Sequence, residues 1–246
     1  MAVFDGSQLF YFDIKTGVKK PRYELKDGEI DLLVGLGSAV PALDIARSLK
    51  RKNNFIDTNK LIFAFWSKFD QEGKFETERD ILLLIDKDNM EGLQHPFDFY
   101  LSQIGFSYYC ENLGLKALPY FEDALAINPS GIGSNGQSYN YSYALALCSK
   151  ETAKNWSRAI EYLDRAMEIT PDKPQPYAVK GACLHNLNNY NEAIACLNMA
   201  LDKRNSALDN GEKAVVFETR AMCWNALGMK DKADKDSAEA ARYAKL

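Results

Sequence analysis

The chain has 246 residues, of which 46% are hydrophobic, enough to bury a sizeable core, so intrinsic disorder is not expected. It contains 30 Lys and Arg and 34 Asp and Glu, which gives a net charge of −4. Both signs are spread evenly along the sequence, so it lacks the concentrated basic charge that is typical of a nucleic-acid binder. The N-terminus lacks a secretory signal pattern and no apolar run approaches the roughly 20 residues of a membrane span, so we expect a cytoplasmic protein without membrane insertion.

Residues 1–97 predict a small α+β extension. β-forming residues flank a turn at Lys15-Thr16-Gly17, which predicts a β-hairpin over about residues 9–25. A helix is expected from about Glu29. A second follows from Ser38, a good N-cap with Pro41 in the first turn, to the basic residue Lys52.

Two further helices are predicted in this extension. They cover Thr58–Phe69 and Glu76–Lys87 and form an antiparallel pair around Gly73. The pair has the outline of a degenerate repeat hairpin, but small residues at the helix crossings are missing from its pattern. We therefore do not count it as a repeat.

An internal repeat runs through the rest of the chain. Segments that begin at Asp98, Asn140, Pro174 and Ala214 share alanine at their twentieth and twenty-seventh positions. These alanines are Ala117, Ala159, Ala193 and Ala233, and Ala124, Ala166, Ala200 and Ala240. Paired helices approach closely only where side chains are small, so the pattern predicts helical hairpins that stack into a solenoid.

The third segment matches one known pattern position by position. The matching residues are Tyr177, Gly181, Leu184, Leu187, Tyr190, Ala193, Leu197, Ala200 and Leu201. This pattern resembles the tetratricopeptide repeat (TPR), a 34-residue helix-turn-helix unit. The resemblance implies a mostly α fold, a TPR-like right-handed α-α superhelix that follows the N-terminal extension. Its four repeats would span residues 98–131, 140–173, 174–207 and 214–246.

Two insertions interrupt the period. Ser130–Ser138 reads as a flexible Gly/Ser/Asn loop, and surplus residues also lie at Leu208–Lys213. Insertions in repeat proteins often carry partner contacts, although a slack connector is the alternative for both. The fourth repeat departs from the pattern at Lys230 and Ser237.

Sequence motifs for catalysis or metal binding are lacking. The two histidines, His95 and His185, have no neighbouring metal-ligand pattern, so neither a metal nor a cofactor is expected. The five cysteines contain no CxxC pair and are expected to be reduced, buried thiols. Cys183 and Cys223 share the tenth repeat position, which favours packing over nucleophilic chemistry. We expect a protein that is not an enzyme.

In TPR proteins, the first helices of successive repeats line a concave groove that receives peptides or helices. The resemblance places the following residues of this sequence in that groove: Phe99, Ser102, Gln103, Phe106, Tyr109, Gln175, Ala178, Ala182, His185, Asn186, Thr219 and Met222. The basic clamp of cochaperones that hold acidic heat-shock protein tails is missing, because Ser102 and Phe106 occupy two of its positions. A largely neutral groove favours an apolar ligand such as an amphipathic helix.

The function expected from these observations is a non-enzymatic scaffold or adaptor that binds a protein or peptide. One alternative is a secretion or assembly chaperone, and another is an enzymatic or nucleotide-binding module in residues 1–97 with the repeats as a targeting arm. The chain could also fill its own groove, if Phe10, Tyr11, Phe12 or the helices that follow cover Phe99 and Phe106. Homodimerisation through an uncapped last repeat is a further possibility.

Overall fold

A computed structural model describes residues 2–4, 9–12, 19–21, 46–47, 50–51, 55–149, 155–202 and 208–245. The chain divides into two compact units, Met1–Glu111 and Asn112–Leu246. The first unit contains the strands β1 (Ala2–Phe4), β2 (Leu9–Phe12) and β3 (Lys19–Pro21) and the helices α1 (Phe55–Glu72), α2 (Phe75–Leu82) and α3 (Phe97–Cys110). The second contains α4 (Gly114–Ile127), α5 (Tyr139–Leu147), α6 (Trp156–Ile169), α7 (Gln175–Asn186), α8 (Tyr190–Asp202), α9 (Asn210–Ala226) and α10 (Lys230–Tyr243).

The predicted N-terminal hairpin is present as β2 and β3. The two strands are antiparallel, with Tyr11 opposite Lys20 and Phe12 opposite Lys19. β1 pairs with the other edge of β2 and adds a third strand that the sequence did not predict. The predicted helix from Glu29 and the start of the Ser38 helix lie outside the described residues, whereas 46–47 and 50–51 are helical as expected.

The helix pair predicted around Gly73 is confirmed as α1 and α2, although α2 ends at Leu82 rather than at Lys87. Gly73 joins the helices in the left-handed region, at φ +66°. The indole Nε1 of Trp66 on α1 donates a buried hydrogen bond to Glu78 Oε1 on α2 at 3.1 Å. This polar contact between two large side chains links the two helices of the pair.

The second unit is built from helical hairpins, as the alanine spacing predicts. Each helix from α4 to α10 packs against the next one along the chain. Seven of the eight repeat alanines are completely buried, and Ala240 on α10 is half-buried. Two hairpin turns of the second unit use a left-handed residue at the fifteenth repeat position, namely Asn188 and Gly228. Small buried residues therefore mark the helix crossings, and the mostly α fold class is confirmed.

The loop 130–138 is not the flexible connector that its composition suggests. The amide of Gly133 donates to the carbonyl of Gln137 at 2.9 Å, and the amide of Tyr139 donates to the carbonyl of Gly131 at 2.9 Å. A Cβ on Gly131 would lie 2.0 Å from the Tyr139 ring, so only glycine allows this approach. The glycines thus serve a hydrogen-bonded turn, because they permit tight contacts that other residues would block.

The surplus residues near Leu208 belong to the fourth hairpin and are not a slack connector. Asp209 and Glu212 form a reciprocal capping box, with Asp209 Oδ1 2.7 Å from the Glu212 amide and Glu212 Oε2 2.9 Å from the Asp209 amide. The box starts α9 at Asn210, four residues before the predicted repeat start at Ala214.

The fourth hairpin is closed by an ion pair. Asp236 on α10 accepts two hydrogen bonds from the Arg220 guanidinium, both at 2.7 Å, and a third from Trp224 Nε1 at 3.1 Å. Arg220 also donates to Asn198 on α8 at 2.7 Å. The Asp236 side chain is only 9% exposed. Polar contacts thus hold α9 and α10 together where the repeat pattern departs from its consensus.

Candidate functional site

A pocket of about 280 Å³ opens between the first helices of three consecutive hairpins in the second unit. These helices are α5, α7 and α9, and part of α8 forms the floor. The pocket is lined by Tyr141, Gln175, Ala178, Val179, Ala182, Leu197, Leu208, Glu212, Val215, Val216 and Thr219. We call this surface the A-helix groove.

Local sequence signals fix the ends of the helices that form the groove. Ser138 caps α5 by accepting a hydrogen bond from the Tyr141 amide, and the capping box at Asp209 begins α9. Pro174 precedes α7, where the missing amide hydrogen of proline is tolerated. The loop 130–138 also reaches α7, since Gln137 Nε2 donates to Gln175 Oε1 at 3.2 Å. One rim of the groove is therefore held by the first insertion.

The walls are anchored in the core beneath them. Leu197, Leu208 and Val216 are buried in a hydrophobic cluster shared by α7, α8 and α9. On α7 the groove is lined by the small side chains of Ala178 and Ala182, whereas Val215 on α9 is 60% exposed. The result is an apolar depression with a hydrophobic residue on its rim, a surface suited to receive an aliphatic or aromatic side chain.

The charge at the groove is sparse. Glu212 is the charged member of the described lining, and its carboxylate already accepts the Asp209 amide in the capping box. The described part of the chain also holds no group of three or more His, Cys, Asp or Glu side chains that could bind a metal ion. The described lining of the groove is therefore mainly apolar, with Glu212 at its edge already engaged in the capping box.

Two cysteines that the sequence assigned to packing are part of the core. Cys183 and Cys223 are both buried, at 1% and 0% exposure. Burial raises the pKa of Cys223 to about 11, so its thiol stays protonated at neutral pH. Both side chains of this repeat position are thus packed in the core, as the sequence predicts.

The predicted groove residues of the first repeat are not on an open surface. Phe99, Ser102 and Gln103 are buried in the first unit, at 8%, 3% and 2% exposure. Phe99 stacks on His95, with ring centroids 4.1 Å apart, and meets Trp66 edge-on at 5.4 Å. This corrects the expectation that the three residues face a ligand, since all three are buried and Trp66 of helix α1 packs against Phe99.

Phe106 and Tyr109 on the same helix are half-buried. The Phe75 ring on α2 meets Phe106 edge-on, with centroids 6.5 Å apart. Phe75 of α2 thus contacts Phe106 within the first unit, and coverage of the whole first-repeat face by the chain itself stays a prediction. The side chains of Phe10, Tyr11 and Phe12 lie outside the described residues.

The predictions for the third and fourth repeats are divided. Gln175, Ala178, Ala182 and Thr219 meet in the A-helix groove. The other three predicted residues, His185, Asn186 and Met222, do not line it. His185 lies beside Tyr190, with ring centroids 5.8 Å apart, and Met222 is 49% exposed.

Sequence reasoning also missed part of the groove. Leu208 and Glu212 were assigned to an insertion, yet both line the pocket. The capping-box spacing of Asp209 and Glu212 was the signal that could have placed these residues at a helix start.

Comparison with known proteins identifies the repeats. The model of the family described as "Anaphase-promoting complex, cyclosome, subunit 3" matches residues 116–200. A search of curated proteins finds no match. In the part of the chain that the structure describes, no helix is both long and apolar enough to cross a membrane.

Solved structures share the fold at low sequence identity. MamA of AMB-1 has a TM-score of 0.58 at 17% identity, over 75% of this chain and 98% of that chain. MamA from Desulfovibrio magneticus RS-1 has a TM-score of 0.58 at 15% identity, over 76% and 95% respectively. MamA of MSR-1 has a TM-score of 0.55 at 17% identity, over 73% and 92%. The buried alanine crossings, the family model matched over residues 116–200 and the shared fold together show that this chain has a fold of the tetratricopeptide-repeat type.

Proposed function

We propose that the chain is a protein-interaction module whose A-helix groove binds a segment of a partner protein. The observation that carries the proposal is the apolar pocket shared by α5, α7 and α9. Its lining joins residues from three hairpins, so one ligand segment would contact several repeats at once. The repeat fold, which commonly mediates protein–protein interaction, supports this proposal.

The size of the groove favours side chains over a small-molecule cofactor. Its volume of about 280 Å³ is just below the usual range for ligand pockets, about 300 to 1,000 Å³. One or two aliphatic or aromatic side chains, presented by an amphipathic helix or an extended segment, would fill it. We therefore propose binding without catalysis, in the manner of a scaffold or adaptor.

Repeat organisation completes the proposal. We propose that residues 98–246 act as an array of four repeats and that residues 1–97 are an extension of it.

The exposed face of α10 is strongly charged and does not favour the homodimer contact considered for the last repeat. Its exposed residues include Lys230, Asp231, Lys232, Asp234 and Lys235.

Val215→Glu tests the groove. The immobilised full chain would select binders from a random peptide library displayed on phage, and the affinity of a recovered peptide would be measured by fluorescence anisotropy. We expect Val215→Glu to weaken binding at least about tenfold, because it places a charge where an apolar side chain must be desolvated. Since Val215 is 60% exposed, the fold should tolerate the change.

Met199→Glu is the matched control. Met199 lies on α8, is 49% exposed and does not line the groove, so the peptide should bind this variant as it binds the wild type. Failure of the library to yield a binder, or equal affinity for Val215→Glu and the wild type, would contradict the proposal.

A further inference from the structure

Two cysteines from different hairpins lie in contact. The Sγ atoms of Cys148 and Cys183 are 3.4 Å apart, although the residues are separated by 35 positions in sequence. Cys148 is the C-cap of α5 and is half-buried, whereas Cys183 lies within α7 and is buried. The two sulfurs thus connect neighbouring first helices.

We propose that Cys148 and Cys183 form an oxidisable dithiol site that closes to an intramolecular disulfide. With hydrogen peroxide as oxidant, Cys148 loses its proton and attacks one peroxide oxygen, which forms a sulfenic acid and releases one water. Cys183 then attacks that sulfur, forms the S–S bond and displaces a second water. Both thiols are oxidised, and the peroxide is reduced to two waters.

The two sulfur atoms are already in contact. A disulfide bond is about 2.05 Å long, so the two sulfurs must approach by roughly 1.4 Å. Cys148 is the C-cap of α5 and is the more exposed of the two. Cys148 is therefore the thiol that an oxidant reaches first, and Cys183 resolves the sulfenic acid.

The protonation state of Cys148 determines how fast the disulfide forms. Its hydrogen bond with Cys183 and its burial both raise the pKa of the Cys148 thiol. Little thiolate is present at neutral pH, and a protonated thiol reacts slowly. The disulfide should form under sustained oxidation, over minutes to hours.

The position of the pair gives the bond a consequence for the groove. Tyr141 on α5 and Ala182 on α7, the direct neighbour of Cys183, both line it. A disulfide would fix the separation of these two walls. This consequence rests on the proposed function, whereas formation of the disulfide does not.

Peptide mapping tests the site. The full chain would be treated with hydrogen peroxide, quenched with catalase, alkylated with iodoacetamide, digested and examined by mass spectrometry. We expect a cross-linked peptide pair containing Cys148 and Cys183, lighter than the two free peptides by two hydrogen atoms and cleaved by dithiothreitol. We also expect the apparent melting temperature of the oxidised chain to rise by a few degrees, because a cross-link constrains the unfolded state.

Two serine variants serve as controls. Cys148→Ser should lose both the cross-linked pair and the rise in melting temperature, whereas Cys196→Ser should keep both. Alkylation of both Cys148 and Cys183 after oxidation, their conversion to sulfinic or sulfonic acids, or cross-links that involve other cysteines would overturn the inference. Peptide mapping needs no bound ligand. The disulfide can therefore be detected even if the groove binds no peptide, and the two proposals can fail independently.

Discussion

Asp236→Ala is expected to lower the free energy of unfolding of the second unit by about 3 kcal/mol. The substitution removes the acceptor of three hydrogen bonds from Arg220 and Trp224 and leaves the guanidinium, 17% exposed, without its carboxylate. Removing a buried carboxylate that accepts two hydrogen bonds from one arginine lowers the free energy of unfolding far more than removing one member of an exposed ion pair. Urea unfolding followed by circular dichroism would measure the change.

Glu239→Ala is the matched control on the same helix. Glu239 also pairs with an arginine, Arg242, but both side chains are largely exposed, at 43% and 56%. We expect no measurable change in the urea midpoint, because exposed ion pairs contribute little to stability. Equal midpoints for Asp236→Ala and Glu239→Ala would show that the buried ion pair does not stabilise the fourth hairpin.

Gly181→Val is expected to destabilise the second unit by about 3 kcal/mol. A Cβ at this position would lie 2.6 Å from Leu197 Cγ and 3.2 Å from the Ala193 carbonyl oxygen. Helices α7 and α8 must therefore separate to admit the new side chain, although valine suits a helix better than glycine does. The urea midpoint of this variant, compared with that of the wild type, reports the loss.

A double variant tests the assigned cause. Leu197→Ala alone should be destabilising, since it leaves a cavity in the core around α8. Combined with Gly181→Val, it removes the two Leu197 atoms nearest to the new Cβ, so the double variant should lose less stability than the sum of the two single losses. Strict additivity would mean that the contact between residues 181 and 197 is not the source of the strain.

The fold of the second unit was largely predictable because its packing is local and repeated. Small residues must recur where helices cross, and the buried positions of Ala117, Ala159 and Ala193 follow directly from that requirement. The composition of the loop 130–138 led to a wrong prediction. Its glycines suggested a flexible connector, but Gly131 is needed for the close approach to the Tyr139 ring.

The groove was predictable only where the repeat register was clean. The pattern of the third repeat placed Ala178 and Ala182 on the groove side, and both line the apolar pocket, while their role in binding stays a prediction. It failed for Phe99, because the burial of that residue depends on Trp66, a partner from outside the recognisable repeats. The contact between Cys148 and Cys183 also had no sequence signal, since it depends on the distance between two hairpins.

The step-by-step packing of α4 to α10 has a consequence for how the second unit is made. Each helix finds its main partner within the next few dozen residues, so little chain entropy must be lost before a contact forms. Hairpins can therefore consolidate in order as the polypeptide leaves the ribosome, without waiting for the C-terminus. Unfolding can follow the opposite order. The main packing partner of α10 is α9, so α10 can detach by losing the contacts with that one helix, and unfolding can then proceed one helix at a time.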